Sequence, residues 1–381
     1  MQVQQIIGAA RAATGLSDFG DPSALDALER LVQASNEEAR LSPAGAQRWA
    51  GNLIGIASNR LRIVDYLKQH PELLERPIEK PMFVFGLPRT GTTLTINLLS
   101  ADPGRRCLLR WEALNPAPPA QKGELQTDLR CGAERQRLAM SLQFAPHIAA
   151  AHWEEADGPS ECQFAMQLSF CSQVFDSSVR IPSYGQWFLR EADYLPAFKF
   201  HKQLLQVLQQ HNDGRWTLKN PWHPLYINEL TTVYPDAQLV MTHRDPVDVV
   251  GSACSLIRLV RPMFSDQVDL KEIAVQLLDT FDLMIARQNA YRDRHGEDAI
   301  YDIQYSEQMR DPIGTMRKLY ARFDEPFTPQ IEAAMQKTMA ANPKGRFGKH
   351  VYALEEFGLT ADGVRKHFRD YYERFRIPAE S

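Results

Sequence analysis

The stretch PMFVFGLPRTGTTLTINLLS, residues 81–100, changes character at its midpoint. The apolar run before Gly86 is typical of a buried strand, and the leucines after Gly91 have helical spacing. A glycine-bounded loop between a strand and a helix presents unpaired backbone amides at the helix N-terminus, where the helix dipole adds partial positive charge. We therefore predict an anion-binding loop that follows a strand of an α/β sheet.

The side chains of this loop indicate which kind of anion it binds. In order, they are Pro88, Arg89, Thr90, Gly91, Thr92 and Thr93. The glycines have the spacing of the nucleotide-binding pattern GxxxxGK[ST], but Thr92 stands where that pattern has lysine. A tight turn with a solvated arginine is the simpler interpretation of the glycines alone. The flanking strand and helix, the paired threonines and Arg89 favour a phosphate-bearing ligand with a different transferring group.

Other strand-like runs alternate with helical patterns along the chain. Besides Met82–Phe85, they are Cys107–Leu109, Trp216–Leu218, Gln238–Thr242 and Ala299–Ile303. Such alternation predicts a three-layer, P-loop-like α/β fold with a parallel central sheet, whose ligands bind beyond the carboxyl ends of the strands.

Two helical regions are expected outside this alternation. Residues 1–80 have helical apolar spacing and predict an N-terminal extension packed on the core of an α/β domain at 81–381. At about 113–213 a run of prolines and aromatic-rich helical patterns interrupts the α/β pattern. We interpret this segment as a helical cap insertion over the sheet edge.

Composition limits the ligand and the compartment. The net charge of −4 and the pI near 6.2 give no overall field that would attract nucleic acid, so the anion site must be local. The five cysteines include no CxxC pair, which indicates reduced core thiols rather than a zinc site or a disulfide framework. With no signal-like N-terminus and no run long enough to span a bilayer, we expect a soluble, cytoplasmic protein. Its oligomeric state stays open.

The loop at residues 88–93 resembles the 5′-phosphosulfate-binding loop of the sulfotransferases that use 3′-phosphoadenosine 5′-phosphosulfate (PAPS). The arginine-containing version occurs in a large bacterial branch and in tyrosylprotein sulfotransferases. A second stretch, QLVMTHRDPVDVVGSACSLIR, places Arg244 and Ser252 at the spacing with which the family holds the 3′-phosphate. An ion pair of Arg244 with Asp245 or Asp248 is the simpler interpretation of that stretch by itself.

Weaker similarities continue towards the C-terminus. Tyr305 is similar to a family tyrosine near the adenine, and Lys344, Gly345 and Arg346 resemble a basic segment that closes over the 3′-phosphate. The resemblance implies in-line transfer of a sulfuryl group from PAPS to a hydroxyl or amine, without a metal, leaving the bisphosphate PAP. It assigns Arg89 as one catalytic cation and Lys219, at the end of a strand, as another. An ion pair of Lys219 with a carboxylate of the cap is the alternative interpretation of that lysine by itself.

The base and the acceptor are less determined. Glu112 follows the candidate second strand and is the first candidate for the general base, with His152 and His223 as rivals. Glu161 is expected to contact a small-molecule or lipid-like acceptor. The apolar lining of its pocket is predicted to include Phe164, Met166, Phe170, Phe175, Tyr184 and Trp187.

Two other functions compete with sulfuryl transfer. A P-loop kinase for a small molecule would need a lysine in the loop and a metal-binding carboxylate after a strand, and the sequence offers neither. A noncatalytic nucleotide-binding protein would keep the fold and bind the donor without transferring any group.

Overall fold

The computed structural model describes residues 1–144, 154–341 and 352–378. Within these ranges, five parallel strands form one sheet in the order β2-β3-β1-β4-β5. The strands are β1 Met82–Gly86, β2 Arg105–Cys107, β3 Arg215–Lys219, β4 Gln238–His243 and β5 Tyr301–Gln304. β1 is central, since Met82 pairs with Thr217 on one side and with Gln238 on the other. The predicted α/β fold with a parallel central sheet is confirmed.

Two strands lie away from their predicted positions. β2 precedes the predicted Cys107–Leu109, because Leu109 leaves the sheet to bridge Pro159 and a helix begins at Arg110. The pattern missed this strand because Arg105 and Arg106 are charged, although both are buried. β5 begins later than predicted because Ala299 closes a 3-10 turn at Glu297–Ala299.

Helices cover the sheet and precede it. In chain order they are α1 Val3–Thr14, α2 Ser23–Glu38, α3 Pro43–Gln69, α4 Thr92–Leu99, α5 Arg110–Leu114, α6 Leu129–Phe144, α7 Cys162–Met166, α8 Gln173–Ser178, α9 Pro182–Arg190, α10 Leu195–Leu208, α11 Ile227–Val233, α12 Pro246–Val260, α13 Leu270–His295, α14 Tyr305–Arg310, α15 Pro312–Arg322, α16 Pro329–Ala341, α17 Ala361–His367 and α18 Arg369–Phe375.

Alternation along β1 divides the core between the two faces of the sheet. Phe83 and Phe85 face the larger core, which also contains Leu61 of α3 and Leu204 of α10. On the opposite face, Met82 and Val84 pack with residues such as Met316 of α15. The N-terminal helices and the helices of the interrupting segment therefore share one core with the sheet.

The five cysteines are free and buried. Burial raises the pKa of Cys107 and of Cys254 to about 12. In the described part of the chain, no group of three or more His, Cys, Asp or Glu side chains is arranged to hold a metal ion. None of the described helices combines the length and the apolar character needed to cross a bilayer.

Candidate functional site

A cavity of about 1230 Å³ opens where the carboxyl ends of the strands meet the helices. Its wall includes the loop after β1, Arg244 after β4, Tyr305 after β5 and Pro221 after β3. Several helices contribute further parts of the wall, among them α3, α4, α6, α7, α8 and α12. The cavity is large enough for a nucleotide together with a second molecule. Its position agrees with the ligand site expected for a parallel sheet.

The predicted anion loop requires both of its glycines. A Cβ atom at Gly86 would lie 2.4 Å from the carbonyl oxygen of Thr242, so only glycine allows the loop to leave the strand here. Gly91 has φ 97° and caps α4, and a Cβ atom there would lie 2.9 Å from the ring of Tyr305. Arg89 also has a positive φ, 74°, a conformation that costs energy in a non-glycine residue and occurs often at functional sites.

The hydroxyl groups of the loop have different surroundings. Thr92 and Thr93 line the cavity together with Pro88, Arg89 and Gly91. Thr90 is fully buried, where its Oγ1 donates to the Leu87 carbonyl at 2.7 Å and lies 2.6 Å from Oγ1 of Thr242. The side chain of Thr90 therefore fixes the loop on β4, and the other threonines supply the accessible donors.

Arg89 meets the second predicted anion-binding segment directly. Its Nε donates to Oγ of Ser252 at 3.0 Å, and Arg244 donates from Nη1 to the carbonyl oxygen of Arg89 at 3.4 Å. Burial and, next, the charge of Arg244 lower the pKa of Arg89. Two guanidinium groups and a hydroxyl are thus gathered at one wall, which suits a ligand with several negative charges.

Arg244 is held from two further sides. Its guanidinium lies over the ring of Tyr305, 4.4 Å from the centroid, and Nη2 donates to Asp248 at 3.0 Å. The ion pair expected from the simpler interpretation is therefore present, and Arg244 also lines the cavity. Ser252 lies on the second turn of α12.

Another wall of the cavity carries two carboxylates, of which the sequence singled out Glu161 but not Glu154. Glu154 and Glu161 line it, and Lys219 lies behind them with Nζ 2.9 Å from Glu161 Oε1 and 3.5 Å from Glu154 Oε1. Burial lowers the pKa of Lys219, but the charges of Glu161 and then Glu154 outweigh it and leave the pKa raised. Arg110 donates to the other oxygen of Glu154 at 2.9 Å.

The ion pair with cap carboxylates, the alternative interpretation of Lys219, is therefore present, and its role as a catalytic cation stays a prediction. The side chain is fully enclosed, and its ammonium is directed at the two glutamates. Lys219 is thus enclosed among opposite charges and paired with two carboxylates that line the cavity.

The candidates for the general base also lie elsewhere than expected. Glu112 is fully buried, outside the described cavity wall, and Arg106 donates to its two oxygens at 2.9 and 2.6 Å. His223 is buried against Phe83 and Tyr226, and burial lowers its pKa well below the usual value. Neither residue is in contact with the cavity, so this placement does not support either as the base. His152 lies outside the described residues, as do Lys344, Gly345 and Arg346.

The predicted apolar lining is correct only in part. Phe164 and Phe175 line the cavity. Met166, Phe170 and Tyr184 are buried in the core, and Trp187 packs against it. Aromatic residues at helical spacing show which side of a helix is apolar but not which neighbour it faces.

Part of the wall comes from α3 of the N-terminal extension, which the sequence predicted only to pack on the core. The residues of α3 that line the cavity are Trp49, Gly51, Asn52, Gly55, Ile56, Asn59 and Arg62. Gly51, Asn52, Gly55 and Asn59 recur at helical spacing along this face, and that pattern is the signal that could have identified it.

Comparisons with known proteins agree with this geometry. The model of the sulfotransferase family matches residues 81–329. The crystal structure of the sulfotransferase STF9 from Mycobacterium avium is 35% identical, with a TM-score of 0.93, and the match covers 99% of this chain and 97% of that one. STF1 from Mycobacterium tuberculosis H37Rv is 29% identical, with a TM-score of 0.87 and coverage of 97% and 99%.

Curated relatives are more distant. The omega-hydroxy-beta-dihydromenaquinone-9 sulfotransferases Stf3 of Mycobacterium bovis and Mycobacterium tuberculosis are each 23% identical over 261 residues, which is 64% of this chain. The match spans 62% of the length of these relatives.

The findings do not favour the kinase interpretation, and the relation to tyrosylprotein sulfotransferases stays a prediction. On the family match and the two structural neighbours, the chain belongs to the sulfotransferase family.

Proposed function

We propose that this protein is an enzyme that transfers a sulfuryl group from PAPS to a hydroxyl or amine of a lipid-like acceptor. The observation that carries the proposal is the contact between Arg89 and Ser252, which joins the loop after β1 to α12 at one cavity. A donor with a phosphosulfate at one end and a 3′-phosphate at the other needs two such anion-binding segments side by side.

The residues present fit this donor. Backbone amides at the start of α4 and the hydroxyls of Thr92 and Thr93 would bind the 5′-phosphosulfate. Arg244 and Ser252 would bind the 3′-phosphate. Tyr305, whose ring stacks on Arg244, would pack against the adenine of the donor. PAPS supplies the sulfuryl group, and the protein orients it and neutralises its charge.

Transfer also needs a cation at the departing phosphate and a base for the acceptor proton. Arg89 is the cation, because it lies in the loop and lines the cavity. As the general base we propose Glu161 rather than Glu112. Glu161 lines the same cavity and interacts electrostatically with Arg89. Lys219 holds the Glu161 carboxylate in place, and Glu154 is bound by Arg110 and Ser160.

The acceptor class follows from the rest of the wall. Trp49 and Ile56 of α3 face the same space as Leu138, Phe164 and Phe175. This apolar wall suits a long hydrocarbon chain whose hydroxyl reaches Glu161. The name of the mycobacterial relatives, which describes a menaquinone derivative with a terminal hydroxyl, supports the same class. A cytoplasmic location is part of the proposal, since buried free thiols suit a reducing compartment.

The test is transfer of label from [35S]PAPS to a total lipid extract, followed by organic extraction. The wild type should label a lipid, and Arg89→Ala should not. Arg317→Ala, an exposed arginine on α15, is the matched control and should label normally. Transfer from [γ-32P]ATP instead would support the kinase, and donor binding with no transfer to any lipid, alcohol or amine would support the noncatalytic alternative.

A further inference from the structure

The C-terminal helix α18 contacts the chain on both sides of Arg244. The hydroxyl of Tyr371 lies 2.7 Å from Nδ1 of His243, and the hydroxyl of the next residue, Tyr372, donates to Oδ1 of Asp245. His243 ends β4 and Asp245 precedes α12, so consecutive tyrosines bind the two residues that flank Arg244.

His243 is fixed at both ring nitrogens. Its Nε2 lies 2.8 Å from Oδ1 of Asp302, and the ring stacks on Phe375 with centroids 4.4 Å apart. Burial lowers the pKa of His243 and favours the neutral ring. Because a carboxylate only accepts, Nε2 carries the proton, and Nδ1 then accepts from Tyr371. The position of the last residue of β4 is thus set by side chains from α18 and β5.

Asp245 fixes the start of the helix that carries Ser252. Its Oδ1 accepts from the backbone amide of Val247 at 2.8 Å, which is an N-cap of α12. The hydroxyl of Tyr372 binds the same carboxylate oxygen. A change at Tyr372 therefore alters the N-terminal end of α12, seven residues before Ser252.

We propose that Tyr371 and Tyr372 are positioning residues for the 3′-phosphate of the donor. They hold Arg244 and Ser252 in the arrangement that receives this phosphate, and they do not touch the donor themselves. This inference rests on the proposed function, because it requires that Arg244 binds the 3′-phosphate.

A matched control separates positioning from general stability. Tyr234 also makes a buried hydrogen bond to a histidine, 2.7 Å from its hydroxyl to Nδ1 of His201, and it lies in the core outside the described cavity wall. Tyr234→Phe removes the same kind of bond as Tyr371→Phe. If the tyrosines of α18 matter only for folding, the two variants should behave alike.

The experiment compares binding of adenosine 3′,5′-bisphosphate with binding of adenosine 5′-monophosphate, which lacks the 3′-phosphate. Affinities are measured by calorimetry for Tyr371→Phe, Tyr372→Phe, the double variant, Tyr234→Phe and Arg244→Ala. The double variant should bind the bisphosphate roughly tenfold more weakly and the monophosphate within about twofold of the wild type. Its KM for PAPS should rise with kcat nearly unchanged. Tyr234→Phe should keep both affinities.

The outcomes separate the two claims. If Arg244→Ala loses preference for the bisphosphate but the tyrosine variants keep it, the positioning role is wrong and the proposed function stands. If the wild type shows no preference for the bisphosphate over the monophosphate, the proposed donor site is wrong and the positioning role fails with it. The single variants give the same test should the double variant not fold.

Discussion

Nε of Arg89 donates a hydrogen bond of 3.0 Å to Oγ of Ser252, which lies 163 residues further along the chain. The contact joins the loop after β1 to the second turn of α12. Two segments that are separate in sequence thereby form a single wall of the cavity.

Arg244→Ala should weaken donor binding more than it slows turnover. The guanidinium would bind the 3′-phosphate, which is remote from the transferred group, so KM for PAPS should rise about 10-fold to 100-fold with a smaller change in kcat. Arg258→Ala, on the helix α12 that follows Arg244 and paired with the exposed Glu356, is the control and should leave KM unchanged. Both constants are measured by steady-state kinetics. A fall in kcat by the same factor as the rise in KM would contradict a role of Arg244 mainly in donor binding.

Both anion-binding segments could be predicted because each is a short run of local sequence. Glycine spacing marks the loop, and the eight-residue interval from Arg244 to Ser252 marks the helix. The contact between Arg89 and Ser252 could not be predicted, because it depends on the pairing of β1 with β4. Pairing of distant strands leaves no trace in either local pattern.

Glu161→Gln should lower kcat by about 100-fold to 10,000-fold, because the amide cannot accept the acceptor proton. Affinity for adenosine 3′,5′-bisphosphate should stay as in the wild type. Glu112→Gln should instead lower the free energy of unfolding by about 3 kcal/mol, since it leaves Arg106 buried without its charge partner.

Steady-state kinetics and urea unfolding of both variants distinguish the two glutamates. Normal stability with a severe loss of kcat in Glu112→Gln would instead support Glu112 as the general base, as the sequence predicted. The sequence could not separate them, because RWEALNP gives no sign that Arg106, which lies before the predicted start of its strand, turns inwards onto Glu112.

Gly55→Leu should reduce the length of the acceptor chain that fits in the cavity. Gly55 lies on α3 at the cavity wall, and a Cβ atom there would have nothing within 4 Å, so the new side chain has room to enter the cavity. We expect kcat/KM to fall roughly tenfold for a long-chain alcohol and to change less than about twofold for a short one. Gly8→Leu, a helical glycine with equally open space on α1, is the control. Equal losses for long and short alcohols would argue against this wall as the acceptor site.

Asp176 should make stability depend on pH. Burial raises its pKa from 3.8 to about 7, while Arg261 and Gln276 oppose the shift and Glu38 and Glu272 add to it. Between these values the folded state binds more protons than the unfolded chain, so stability falls as pH rises towards 7.

Asp176→Asn should remove this dependence. The unfolding free energy of the variant minus that of the wild type should therefore be larger at pH 8 than at pH 4, by on the order of 3 kcal/mol. Urea titrations at both pH values give the comparison, with the exposed Asp266→Asn as control. A gain that is the same at pH 4 and pH 8 would show that the carboxyl is already ionised in the folded state.

The charged groups of the acceptor side were the hardest to predict. Lys219 could be located at a strand end from its sequence, but its partners Glu154 and Glu161 belong to the interrupting segment. Their approach depends on how that segment folds back onto β3, where Glu161 bridges Lys219. Patterns within one element do not contain this information.

The most direct test is a crystal structure with adenosine 3′,5′-bisphosphate bound. We predict the 5′-phosphate on the loop of residues 88–93, within hydrogen-bond distance of Arg89, and the 3′-phosphate on Arg244 and Ser252. A nucleotide bound elsewhere, or bound with its 3′-phosphate away from Arg244, would contradict this prediction.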